Sequence, residues 1–186
     1  MSNFEEKMFG FLTEENNFES AFEIYQKSPI IIDRLKKEFW ELVSQKLKEK
    51  CKKDWIFYPE EENEIGLYLK EWKDGIGNGW KYRIGYSDIY NNLWYGLFID
   101  ENCKKRKFDL NKVEQFGNIQ PRLKDMEGIE NFWKKDTTYN FNDIHTLKRI
   151  LPHNKEEFAT QLAETLFDFA HAIKEDIPKM NKLVKK

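Results

Sequence analysis

The chain has 186 residues, 34 % charged and 40 % hydrophobic, and its 31 Lys and Arg against 33 Asp and Glu leave a net charge of −2. That balance excludes a global field that would draw in nucleic acid or an anionic membrane, while 15 Phe, 8 Tyr and 6 Trp exclude a chain disordered throughout. No run approaches the ~20 apolar residues of a membrane span, and the acidic start MSNFEEKMFG lacks the basic flank and apolar stretch of a secretory signal. The sequence therefore predicts a cytoplasmic protein with Cys51 and Cys103 as reduced thiols, folded as a single domain over residues 1–186.

In chain order, Phe4, Met8, Phe9, Phe11 and Leu12 predict a short helix, and Phe18, Ala21, Phe22 and Tyr25 predict a second, ended by Pro29. A third is expected from Ile31 to Lys50, with Leu35, Phe39, Leu42, Val43 and Leu47 on its buried stripe and Lys36, Lys37 and Glu41 in water. Residues 1–52 thus read as helical.

Residues 53–100 read as an antiparallel meander of three to four or more strands. Trp55 to Tyr58 is the first, an aromatic run stopped by Pro59. Glu64 to Trp72 alternates Ile65, Leu67 and Leu69 against Tyr68, Lys70 and Trp72. Trp80 to Tyr86 and Leu93 to Ile99 alternate in the same way, and the glycine-rich stretch 73–79 between the second and third runs reads as a hairpin loop.

Residues 101–154 are mixed: a short helix from Asp109 to Gly117, an ambiguous stretch 121–140, and a short helix capped by Asn142 or Asp143. Asn154 caps a long helix over 155–178, with Phe158, Leu162, Leu166, Phe169, Ile173 and Ile177 on one face, before the basic tail 179–186. The fold class is α+β, an antiparallel sheet packed against amphipathic helices from both ends of the chain.

Few residue patterns carry chemistry. Gly75, Gly77 and Gly79 precede a strand, not the helix a phosphate loop requires, so they read as a turn. Glu71-Trp72-Lys73 matches a Glu-x-Lys triplet that, with Asp54, forms a candidate metal-dependent catalytic set; a solvated strand end is the competing reading. His145, His153 and His171 are too dispersed for a metal pattern, and neither cysteine lies in a Cys-x-x-Cys pair, so no metal or cofactor is expected. Cys51 stands in a lysine run, where a lowered pKa is conceivable, yet without a neighbouring His it reads as an ordinary thiol. The alternation places Tyr68, Lys70, Trp72, Lys81, Arg83 and Trp94 on the sheet face away from the aliphatic one. Aromatics interleaved with cations suit base stacking with phosphate contact, or a protein interface. They suit a core equally well where a helix covers that face.

From Phe39 onward, Phe39-Trp40-Glu41-Leu42, Ile65-Gly66-Leu67-Tyr68, Trp80 to Tyr86, Leu93-Trp94-Tyr95-Gly96 and Asn131 to Lys135 follow in an order that resembles the C-terminal, non-catalytic region of bacterial PD-(D/E)XK nuclease-like proteins. The resemblance implies an accessory or recognition module in bacterial or phage DNA-related conflict, without the catalytic half. The expectation is a non-enzymatic module that binds a protein or nucleic acid, not a membrane, through the aromatic-basic face. Alternatives are a small metal-dependent nuclease using Asp54, Glu71 and Lys73, and an inhibitor or assembly factor acting through an apolar surface patch.

Overall fold

A computed structural model describes residues 3–52, 54–61, 63–72, 82–99 and 132–181. Its elements are α1 (Asn3–Leu12), α2 (Glu15–Lys50), β1 (Trp55–Glu61), β2 (Glu64–Leu69), a 3-10 turn (Lys70–Trp72), β3 (Tyr82–Ser87), β4 (Asn92–Ile99), β5 (Phe132–Asn140), α3 (Ile144–Arg149), α4 (Lys155–Ile173) and α5 (Asp176–Asn181). The chain divides within α2 into two compact units, Met1–Glu38 and Phe39–Lys186. The expected hairpin loop 73–79 and the short helix from Asp109 to Gly117 lie outside the described residues.

The first unit is a helix pair. Its corner is tied by Asn17, whose side-chain amide donates to the Phe11 carbonyl at 3.1 Å and to the Glu14 carboxylate at 2.9 Å. Pro29 does not end the helix: α2 runs through it to Lys50. Proline removes one backbone donor and crowds the preceding turn, but the well-patterned turns on either side keep the helix in register across it.

In the second unit β1 to β5 form a five-stranded antiparallel sheet in sequence order. The register Phe57↔Leu67, Leu67↔Ile84 and Ile84↔Leu97 puts Ile65, Leu67, Leu69, Ile84, Tyr86 and Leu97 on one face, all buried. The second half of α2 and α4 pack on that face. Phe39, Trp40, Phe141 and Phe158 meet there with ring centroids 5.0 to 5.8 Å apart for Phe39–Phe158, Phe39–Phe141, Phe39–Trp40 and Trp40–Phe141, and Trp40 reaches Tyr86 at 5.8 Å. Rings of this size supply most of the burial that the folding of a small core needs. Arg149 closes the edge, its guanidinium 4.0 Å from the Phe158 ring centroid and bonded to Gln161 at 2.7 Å.

Several expectations change in detail. Lys36, expected in water, is buried, because the observed stripe runs through Ile32, Lys36, Phe39 and Val43 and leaves Leu35 and Leu42 half-covered. β1 continues past Pro59 to Glu61, where its pairing with β2 slips. Pro59 is tolerated because β1 is an edge strand. β5 arises from the stretch whose sequence was ambiguous. The long C-terminal helix ends at Ile173, and Ile177 lies buried in the separate α5. Asp143 and Asn154 occupy N-cap positions without side-chain cap bonds; Asn154 instead donates to the Lys148 carbonyl at 3.0 Å.

One buried hydrogen bond joins sheet to helix: the Tyr86 hydroxyl donates to the Leu162 carbonyl at 2.8 Å. Burial, with the carboxylate of Asp136 a lesser cause, pushes the Tyr86 phenol well above its usual range. The folded state thus keeps a proton that the unfolded chain releases above about pH 10. The stabilisation is fully present below that pH and is lost as pH rises beyond it. Tyr86→Phe is expected to cost about 1 kcal/mol near neutrality, and to flatten the loss of stability above about pH 10. Urea denaturation of both proteins across that range checks this; equal alkaline slopes would show that Tyr86 does not carry the effect.

Candidate functional site

The outer face of the sheet, opposite the packed helices, follows from register. Tyr58 pairs with Gly66, Gly66 with Gly85, and Gly85 with Gly96, so a row of glycines crosses the middle strands. The Tyr58 ring lies over Gly66: a Cβ there would come within 2.6 Å of the Tyr58 ring and 2.8 Å of the Gly85 Cα, besides striking the Ile84 carbonyl oxygen. Arg83 also sits over the Tyr58 ring, guanidinium carbon 5.1 Å from the centroid. Tyr68 pairs with Ile56, and one step beyond the Leu67↔Ile84 pair it falls opposite Arg83. Tyr58, which sequence reasoning left out of the site, therefore organises it. Its signal was the pairing of a large ring with a glycine across strands.

Of the residues expected on this face, Tyr68, Arg83 and Trp94 are there, each half-buried. They do not form one cluster. Arg83 pairs with Phe98 and Trp94 with Ser87, at opposite ends of the β3–β4 ladder, so by strand rise they are roughly 13 Å apart along the strand direction. Ser87 and Glu64 meet beside Trp94 at 3.5 Å, adding a carboxylate rather than a cation there.

Trp72 and Lys70 are not part of the face. β2 ends at Leu69, where the Lys70 amide donates to the Asp54 carbonyl at 2.8 Å, and the 3-10 turn that follows breaks the alternation. Trp72 is turned inward and fully buried, with its ring edge-on to Trp55 at 5.7 Å. Trp55 in turn contacts Phe167 and His171 of α4. Lys70 is exposed in the turn. Lys81 and Lys73 lie outside the described residues.

The candidate catalytic carboxylates do share a place. Asp54 and Glu71, with Lys70, Leu69 and Lys174, line one open depression of about 560 Å³. Among the described residues no group of three His, Cys, Asp or Glu side chains is arranged to hold a metal ion. Two carboxylates and two ammonium groups around an apolar floor can pair with a charged or zwitterionic ligand. No Ser, Thr or Cys is among the described residues lining the depression. Burial pushes the Cys51 thiol up to about 11, which agrees with reading it as an ordinary thiol rather than one activated by its lysine neighbours.

Two substitutions separate fold from surface here. Gly66→Ala is expected to destabilise by about 2 kcal/mol, since backbone as well as the Tyr58 ring must give way, and Trp72→Ala by about 3–5 kcal/mol through the cavity it leaves. Tyr68→Ala is expected to change stability far less. Chemical denaturation of the three variants checks the order, and a Trp72→Ala protein as stable as the parent would return Trp72 to the surface. No helix among the described residues is long and apolar enough to cross a membrane. No known protein family, curated protein or solved structure matches the chain.

Proposed function

We propose that the chain is a non-enzymatic protein-binding module whose docking surface is the N-terminal arm, α1 and the first half of α2. The observation that carries the proposal is exposure. Phe4, Phe9, Phe11, Phe18, Phe22 and Tyr25 are 51–76 % exposed. Among the described residues, the large apolar side chains left in solvent all lie between Phe4 and Ile31, apart from Ile144.

The second half of α2 buries Phe39, Trp40, Val43 and Leu47 completely, so the same helix has a covered apolar stripe in one half and a bare one in the other. At ~100–120 Å² per half-exposed ring the six aromatics alone present roughly 600–700 Å². Summed over the two helices, that is of the order of the ~800 Å² that one partner contributes to a stable interface. Covering it is the function this surface supports best.

A second reading rests on the shared depression of Asp54 and Glu71, which supports metal-dependent phosphodiester hydrolysis if a further ligand joins them. Plasmid nicking in Mg²⁺ or Mn²⁺ that Asp54→Asn and Glu71→Gln abolish is its test; nicking that both variants retain removes it.

For the arm, affinity capture from cells of the source organism is compared for the parent chain, Phe18→Asp/Phe22→Asp and Tyr68→Ala/Arg83→Ala. The arm variant is expected to lose the partner by more than about tenfold, and the sheet variant to retain it. Loss by the sheet variant alone would move the docking surface to the outer face of the sheet. Helicity measured by circular dichroism confirms that the arm variant is folded.

A further inference from the structure

The arm carries its apolar residues in a repeated arrangement with a charged edge. Phe18, Phe22 and Tyr25 repeat in α2 the i, i+4, i+7 spacing of Phe4, Met8 and Phe11 in α1. On a helix each such triplet falls on one narrow stripe. Phe18 and Phe22 confirm this in space: their rings stack at 6.3 Å with an 11° interplanar angle.

The residue that follows a stripe position lies about 100° round the helix, at the stripe's edge. On that edge stand Glu5, Phe9 and Leu12 in α1, then Glu19, Glu23, Gln26 and Asp33 in α2, so the acidic part of the edge lies mainly on α2, where Glu19, Glu23 and Asp33 are exposed. The opposite edge carries Lys7 in α1, then the neutral Ala21, Ser28 and Leu35 in α2. Up to Glu19 the sequence sets Glu5, Glu6, Glu14, Glu15 and Glu19 against Lys7 as the only base. The bases begin at Lys27: Lys27 is paired with Glu23 at 3.5 Å and Arg34 with Glu38 at 2.8 Å along the same helix, and Asp33 acts on Lys36, which leaves Glu19 as the acidic edge residue of α2 farthest from a base.

Resting on the reading of the arm as a docking surface, we infer that its occupant is a cationic amphipathic helix of another protein, an apolar stripe edged by lysine or arginine. Apolar anchors at i, i+4 and i+7 are the spacing by which one helix lies along another. An acidic edge selects a basic-edged partner by steering and by the cost of juxtaposed like charges. The same edge disfavours two other occupants. A second copy would set carboxylate against carboxylate, and an anionic membrane surface would repel the arm.

The full chain is titrated against two fluorescent synthetic peptides that differ only in charge, an amphipathic leucine–lysine helix and its leucine–glutamate counterpart, at low and high salt. The lysine peptide is expected to bind, more weakly at high salt, and the glutamate peptide not to bind. Phe18→Asp/Phe22→Asp is expected to lose the lysine peptide. The exposed pair Glu19→Lys/Asp33→Lys, which leaves the apolar stripe intact, is expected to weaken it about tenfold and to gain the glutamate peptide. Equal binding of the two peptides, or charge reversal without effect, overturns the inference while leaving any arm-dependent capture of a partner in place. An arm-dependent dimer in sedimentation, or arm-dependent binding to phosphatidylserine vesicles, overturns it in favour of those occupants. Arm variants that lose neither peptide nor any captured partner remove both the inference and the docking surface on which it rests.

Discussion

The bond from the Tyr86 hydroxyl to the Leu162 carbonyl is the buried polar tie of the second unit, joining the middle strand of the sheet to α4. A buried phenol must find an acceptor or forfeit its hydration. A helix carbonyl can accept a second bond without leaving its own ladder. The arrangement sets how deep α4 sits, and around it the rings of Trp40 and Tyr95 pack against Tyr86 at 5.8 and 6.3 Å. The inner face of the sheet is thus committed to core, which leaves the outer face, the turn after β2 and the arm as the surfaces for function among the described residues.

On the outer face the glycine row governs what is possible. Gly66, Gly85 and Gly96 remove three side chains from the centre, and the Tyr58 ring fills part of that space. Arg83 stacks above it, so one cation is already engaged by an aromatic ring of the same chain. A face built in this way is shaped by its own packing, and its half-buried Tyr68, Arg83 and Trp94 are spread rather than focused. The depression around Asp54 and Glu71 is a separate feature at the end of β2, reached because the 3-10 turn folds back over the Asp54 carbonyl.

The strands with strict apolar alternation were legible because residues such as Ile65, Leu67 and Ile84 have only one face to bury. Trp72 was misplaced by the same logic. Alternation extends through Lys70 and Glu71 on paper, but three residues of 3-10 turn reverse the parity, and nothing in Lys70-Glu71-Trp72 announces it. β5 was hidden because an edge strand reading FWKKDTTYN is polar along both faces and needs no apolar period. Lys36 was misread by taking Leu35 and Leu42 as the centre of a stripe that is centred one position further round. In the arm, the helices were legible from Phe4 and Phe18 onward, while their exposure was not. Periodicity reports that a face is apolar, and only the three-dimensional arrangement reports whether anything lies on it.

Pro29 lies inside the exposed half of α2, with Ile30 and Ile31 still exposed after it and full burial of apolar side chains beginning at Phe39. The Tyr25 carbonyl cannot receive the amide hydrogen that residue 29 would otherwise supply, so the hydrogen-bond ladder has a missing rung there. The turns before it can open without drawing the later, fully packed turns along, which makes α2 two cooperative segments in one helix. Amide hydrogens before Pro29 are then expected to exchange faster than those around Val43. A partner that covers the arm would close that gap in protection while leaving the sheet's exchange unchanged.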